Sequence, residues 1–149
     1  MTLDQIDDGL RAARPPQRFR PVREWVLQDV EHLSRVRHEL LAEITARGAA
    51  PQDGLDAVPE RMILVASELA TNALVHGLPP TRVQLLSDGN EYLLDVADHD
   101  VDSTPALAGT RAPGAGGFGL QIARRLSQDV GWYVDGTAKH VWARFPAQH

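Results

Sequence analysis

Residues 67–77 read SELATNALVHG, and this stretch decides how the rest of the chain is interpreted. The carboxylate of Glu68 and the amide of Asn72 stand four residues apart, so a helix projects both from the same face. The surrounding residues from Met62 to Val75 are mostly apolar, so both polar groups need partners if the helix is buried. A metal ion with a phosphate ligand is one such partner, and a structural hydrogen-bond network is another. A glutamate in this setting more often lies on the solvated edge of an amphipathic helix. The rest of the chain must therefore decide whether Glu68 is functional or simply exposed.

The composition restricts the protein to the class of globular domains. A chain of 149 residues, 43% of them apolar, is long enough to bury a core as one domain. It contains no cysteine, which excludes disulfides, a thiolate nucleophile and cysteine-ligated zinc and agrees with a cytoplasmic protein. The net charge of −5 argues against direct nucleic-acid binding. No apolar run approaches the roughly 18 residues of a membrane helix, so no membrane partner is expected.

Apolar spacing and turn residues predict an α+β fold. Asp29 is a suitable N-cap for one helix, and Pro59 suits the first turn of another. The predicted helices cover residues 30–47, 59–76 and 119–129. The predicted strands cover residues 22–28, 82–86, 92–97, 131–134 and 140–145. This order predicts a two-layer α+β sandwich, in which a mixed or antiparallel sheet of about five strands carries three main helices on one face.

Two segments lack the apolar spacing of a helix or a strand. Residues 1–21 contain Gly9 and several prolines, which predicts a mobile N-terminal arm, or a leader that docks on a partner, and leaves residues 22–149 as the domain. Residues 99–116 form a long irregular stretch, and a loop of this length in a compact domain is usually functional or disordered. We expect this stretch to be a mobile lid, with Arg111 as the charge suited to a phosphate.

A glycine-rich run, Gly114 to Gly119, precedes the last predicted helix. Closely spaced glycines let backbone amides approach a phosphate, and a helix N-terminus favours an anion there. The letters fit G-x-G-x-x-G, but no strand comes directly before them, which excludes a dinucleotide-binding fingerprint. The chain also lacks the H-R-D and D-F-G motifs of protein kinases and a Walker A lysine. A flexible linker is the alternative interpretation of this run.

Taken in order, these motifs resemble those of the Bergerat-fold (GHKL-type) ATPases. More narrowly, they resemble the bacterial anti-sigma-factor serine/threonine kinases of actinobacterial type. The Glu-x-x-x-Asn box of that family matches Glu68 and Asn72. Its aspartate at a strand end matches Asp98, and its later glycine box matches Gly117 and Gly119.

The resemblance implies a function and a set of partners. It implies an ATP-binding anti-sigma regulatory protein with serine/threonine kinase activity toward an anti-sigma-factor antagonist. The implied protein partners are that antagonist and a sigma factor, and a homodimer is compatible with the resemblance. The implied cofactors are ATP and Mg²⁺.

The resemblance also implies roles for individual residues. Asn72 would ligate the Mg²⁺ ion, and Glu68 would act as general base toward the hydroxyl of the partner protein. Asp98 would accept a hydrogen bond from the adenine amino group, and the amides of Gly117 and Gly119 would hold phosphate. Phosphoryl transfer depends mainly on positioning and charge neutralisation, which these groups can supply. Lys139, the chain's only lysine, is a further candidate for neutralising phosphate. A lysine near a C-terminal strand is more often solvated at the surface.

One box departs from the family pattern and keeps a rival function open. The usual Asp-x-Gly-x-Gly box reads DHDVD at residues 98–102, so both glycines are replaced. The rival is a Bergerat-fold protein-binding module that has lost phosphotransfer, whereas the intact pair of Glu68 and Asn72 favours the kinase. A detached histidine-kinase ATPase domain is a third interpretation. We see no pair of dimerisation helices with a phosphoacceptor histidine to support it.

Overall fold

Apolar residues at helical spacing and alternating apolar residues on the strands produce two layers. The computed structural model describes residues 10–47, 57–102, 105 and 119–147 of the chain. Its helices are α1 (Leu33–Ala46), α2 (Val58–His76) and α3 (Gly119–Leu126). Its strands are β1 (Arg20–Leu27), β2 (Thr81–Ser87), β3 (Glu91–Asp98), β4 (Asp129–Asp135) and β5 (Ala138–Pro146). The sheet order is β1-β2-β3-β5-β4 with every pairing antiparallel, which confirms the predicted fold class.

The helical layer packs on one face of the sheet through α2. This helix contacts α1, α3 and strands β2, β3 and β5. Its buried residues include Met62, Val65 and Leu69, and they share one core cluster with Leu94 and Val96 of β3. Each fully buried side chain of this size contributes about 1.5–3 kcal/mol. None of the helices in the described ranges is long and apolar enough to span a membrane.

The helix ends follow local hydrogen bonding. Asp29 accepts a hydrogen bond from the backbone N–H of Glu31 at 3.0 Å, as its N-cap position predicts. The first turn is nevertheless a 3₁₀ turn over Val30–His32, so α1 begins at Leu33 instead of residue 30. Helix α3 ends three residues earlier than predicted because residue 129 already belongs to β4.

The β2–β3 hairpin turns where the Asp-Gly pair predicts. Gly89 has a φ of 94°, a conformation that favours glycine. The Asp88 carboxylate accepts hydrogen bonds from the backbone N–H groups of Asn90 at 2.8 Å and Glu91 at 2.7 Å. Burial alone would raise the pKa of Asp88, but these N–H donors and the Arg18 guanidinium lower it below its usual range.

Residues 10–19, which we call the N-terminal segment, follow the edge of the sheet: Leu10 belongs to the core on the helix side, and Ala13 and Phe19 pack on the opposite face. Ala12 forms a parallel bridge with Trp132 of the edge strand β4. The Trp142 indole Nε1 donates to the Ala13 carbonyl at 2.7 Å, and Phe19 packs on Trp142 in a second apolar cluster. The described part of the predicted arm therefore packs on the sheet.

Ion pairs hold both ends of the N-terminal segment. Arg11 pairs with Asp129 at 2.7 Å, and Arg18 pairs with Asp88 at 2.6 Å and also with Glu91. The division of the chain at residue 21 stays a prediction, and residues 1–9 lie outside the described residues.

Candidate functional site

Asp98 lies against the C-terminal end of α2. Alternation along β3 places its side chain on the helix-facing side, like those of Leu94 and Val96. Gly77 follows α2 directly, and a Cβ at this position would lie 2.4 Å from Asp98 Cγ. Only glycine leaves room for the carboxylate here. The last residue of β3 therefore meets the end of the Glu-x-x-x-Asn helix.

Glu68 lies against the start of α3. A Cβ on Gly119 would come within 3.1 Å of the Glu68 carbonyl oxygen and 3.3 Å of its Oε1 atom. Glu68 itself is half-buried, so it is not the solvated edge of an amphipathic helix. The structure thus brings together the carboxylate and the glycine that the sequence predicted for one site.

Helix α2 separates these two contacts by a fixed length. Glu68 and Gly77 are nine residues apart, which corresponds to about 13 Å along a helix. Asn72 lies between them, one turn after Glu68, and is half-buried. The site therefore has one end at Gly119 and another at Asp98, with α2 along its length.

Lys139 belongs to the end of the site that contains Asp98. It is the register partner of Asp98 on β5, and its Nζ atom lies 3.8 Å from Asp98 Oδ2. The lysine is 8% exposed, so the expectation of a solvated surface lysine is wrong. The structure places this ammonium beside the strand-end carboxylate.

The segment after β3 is anchored to two neighbours. The backbone N–H of His99 donates to the Leu78 carbonyl at 3.0 Å, and the His99 Nδ1 atom lies 3.0 Å from the Thr137 carbonyl. The backbone N–H of Asp100 donates to Asp98 Oδ1 at 2.7 Å. These contacts hold Asp98 between the loop after α2 and the β4–β5 turn.

Part of the predicted site lies outside the described residues. The structure does not describe Gly117, Arg111 or most of the predicted lid, residues 99–116. Those roles stay predictions.

Sequence reasoning missed two contacts of this site. The close approach of Gly77 to Asp98 and the pairing of Lys139 with Asp98 both join residues that are distant in the chain. The only signals in the sequence are the glycine that ends α2 and the unique lysine at the start of the last strand.

Together, the helical layer on an antiparallel sheet and the polar site along α2 define a GHKL-type ATPase domain. The sequence profile of the histidine kinase-like ATPase domain matches residues 26–145, and the chain belongs to that family. No curated protein matches the chain significantly. Family membership supports an ATP-binding, ATPase-like module.

Proposed function

We propose that this protein binds ATP–Mg²⁺ and transfers the terminal phosphoryl group to a serine or threonine of an anti-sigma-factor antagonist. In this proposal it also binds a sigma factor through a protein surface. The antagonist and the sigma factor come from the resemblance described above, and family membership supports the ATPase-like part.

The observation that carries the proposal is the meeting of Glu68 with Gly119. A general base must lie within hydrogen-bond reach of the proton that it removes. The N-terminus of a helix is where a phosphate binds most readily, because its backbone N–H groups are unpaired and the helix dipole is favourable. The structure puts the Glu68 carboxylate next to the first residue of α3. A phosphate at α3 would therefore lie close to this base.

The residues along α2 fit a nucleotide. Asp98 and Lys139 offer an acceptor and a donor at one end, and the start of α3 offers backbone N–H groups at the other. Glu68 of α2 and Gly77 directly after it, the residues that meet the two ends, are about 13 Å apart along the helix, a span comparable with that of an extended nucleoside triphosphate. Bound ATP–Mg²⁺ would supply the phosphoryl group and neutralise much of its charge.

The protein's own residues would position the magnesium ion and deprotonate the hydroxyl of the partner protein. The amide oxygen of Asn72 can ligate Mg²⁺, which prefers oxygen ligands and keeps several water molecules. In the described ranges, no cluster of three or more His, Asp or Glu side chains is arranged to hold a metal ion. The ion would thus depend on Asn72, phosphate and water. Glu68 would accept the proton of the partner's hydroxyl.

Calorimetric titration with ATP and Mg²⁺ tests the binding half of the proposal. We expect Asn72→Ala to weaken binding in magnesium because a metal ligand is lost. Asn90→Ala is the matched control, since Asn90 is an exposed amide in the β2–β3 turn. Equal affinity of the Asn72 variant and the parent, with and without magnesium, would exclude this role for Asn72.

A second candidate is a binding module of the same fold without phosphotransfer. The replaced glycines after Asp98 favour it, because bulkier residues, among them Asp100 and Asp102, follow the carboxylate that would accept from adenine. The two candidates differ in one assay. A protein that binds ATP–Mg²⁺ but phosphorylates no antagonist would support the binding module.

A further inference from the structure

Lys139 and Asp98 form a buried charged pair at one end of the site. Lys139 is 8% exposed and Asp98 is 5% exposed, so both charges are almost fully removed from water. Burying two charges carries a desolvation penalty that their attraction often only offsets, so such a pair is weak evidence for stability. Its location at one end of the site indicates a role in binding.

The surroundings keep this pair in place. Gly77 approaches Asp98 so closely that no side chain fits between them. The Asp98 Oδ1 atom accepts the N–H of Asp100, whereas Oδ2 is the oxygen nearest to Lys139. His99 attaches the same segment to the loop after α2 and to the β4–β5 turn. The carboxylate and the ammonium are therefore positioned side by side before any ligand arrives.

The position of the pair argues against a phosphate role for Lys139. The helix start at Gly119 meets Glu68, and the pair meets Gly77, nine residues further along α2. This separation of about 13 Å is too long for a single lysine side chain to serve both ends. If phosphates bind at α3, Lys139 lies at the other end of the nucleotide.

We propose that Lys139 recognises the nucleobase together with Asp98, an inference that rests on the ATP binding proposed above. Asp98 accepts a hydrogen bond from the exocyclic amine of adenine, and Lys139 donates one to the neighbouring ring nitrogen, N1. An ammonium group carries three N–H donors and no acceptor, so it is suited to that nitrogen. The pair then presents an acceptor beside a donor, which complements the donor and acceptor of adenine.

The experiment compares ATP with 1-deaza-ATP, in which N1 is replaced by a C–H group and the amine is kept. Hydrogen bonds to charged groups contribute enough for their loss to weaken binding by about 10- to 100-fold. We expect the full-length parent to bind 1-deaza-ATP that much more weakly than ATP in calorimetric titrations. We expect Lys139→Met to bind both nucleotides with equal affinity.

Two further variants keep the comparison interpretable. Lys139→Met leaves Asp98 as an unpaired buried charge, which can destabilise the fold. The double variant with Asp98→Leu leaves neither an unpaired charge nor a side-chain N–H donor, and it should also bind both nucleotides equally. Arg35→Met removes an exposed cation from α1, where its partner Glu39 lies 3.9 Å away, and should keep the parent's preference.

Three results would overturn the inference. Equal affinity of the parent for ATP and 1-deaza-ATP means that no donor recognises N1. An unchanged preference in Lys139→Met at the parent's ATP affinity assigns the recognition to another residue, and an equal fold-loss of affinity for both nucleotides assigns Lys139 to phosphate. A parent that binds neither nucleotide refutes the proposed function itself and this inference with it.

Discussion

Gly77 and Asp98 are in contact across the end of α2, although 21 residues separate them in the chain. A Cβ on Gly77 would lie 2.4 Å from Asp98 Cγ and 2.7 Å from the Ala73 carbonyl oxygen. The backbone of Gly77 is extended, with φ −98° and ψ −167°, so any residue could adopt it. The need for glycine therefore comes from the space that the Asp98 carboxylate and the Ala73 carbonyl occupy.

Gly77→Ala should destabilise the protein and displace Asp98. Overpacking of a buried contact typically costs about 1–3 kcal/mol, and we expect a loss of that size in urea unfolding. ATP affinity should fall as well, because Asp98 and Lys139 would move together.

Asp98→Ala provides the control for the contact. In the Asp98→Ala background the carboxylate is absent, so Gly77→Ala should cost less than it does in the parent. Equal costs in both backgrounds would place the strain at the Ala73 carbonyl alone.

The elements of the fold could be predicted because their signals are local. Helix α2 was predicted from residue 59 to 76 and extends from Val58 to His76. Its first turn holds Pro59 and its end is set by Gly77, so both boundaries depend on neighbouring residues. The Asp-Gly turn between β2 and β3 is equally local.

The contacts of the site could be predicted only in part. The spacing of Glu68 and Asn72 is fixed by the helix, but the pairing of Lys139 with Asp98 depends on the register of β3 on β5. These strands are about 40 residues apart, and no turn between them sets that register. The packing of the N-terminal segment was missed for a similar reason, since backbone carbonyls of residues 10 and 13 accept from Trp132 and Trp142.

Glu68→Gln should separate catalysis from binding. Glutamine keeps the shape of the side chain but is not basic, so phosphorylation of an antagonist should fall by about 10²-fold or more. ATP affinity should remain close to that of the parent, as calorimetry would measure.

Glu31→Gln is the matched control for this substitution. Glu31 is exposed in the 3₁₀ turn before α1, so both activities should be unchanged. A Glu68→Gln variant that phosphorylates at the parent's rate would remove Glu68 from the general-base role.

Trp142→Phe should loosen the N-terminal segment. The substitution removes the indole N–H that donates to the Ala13 carbonyl at 2.7 Å, and we expect a loss of about 1–3 kcal/mol. Trypsin should then cleave faster after Arg11 and Arg18, which lie in this segment and are not followed by proline.

Trp25→Phe makes the same chemical change away from the N-terminal segment. The Trp25 indole donates to Glu39 Oε1 at 2.9 Å, on the side of α1. Cleavage in the segment should stay close to that of the parent. If both variants are cut equally fast, the segment is released by global destabilisation and not by loss of its own contact.

A polar cluster on the face of the sheet opposite the helices links Tyr133 to Asp95. The Tyr133 hydroxyl donates to Asp95 Oδ2 at 3.3 Å, and the His140 Nδ1 atom lies 2.7 Å from Asp95 Oδ1. The Tyr133 ring stacks on His140 with centroids 4.5 Å apart, and the Arg14 guanidinium lies 4.7 Å from the tyrosine centroid. Burial and the neighbouring Asp95 carboxylate raise the pKa of Tyr133 well above its ordinary value of 10.0.

This raised pKa predicts a loss of stability in alkali. Above pH 10.0, the ordinary pKa of tyrosine, the unfolded chain releases a phenolic proton that folded Tyr133 retains. The unfolded state then binds fewer protons, so the free energy of unfolding decreases as pH rises. Tyr133→Phe has no such proton, so its free energy of unfolding in urea should decrease less steeply at alkaline pH.

A direct measurement of the Tyr133 pKa uses the Tyr92→Phe variant, in which Tyr133 is the only tyrosine left. Its phenolate absorbance should develop near the ordinary pKa in urea and at clearly higher pH in the folded protein. Identical titration curves for the two states would show that Asp95 and burial leave the pKa of Tyr133 unchanged.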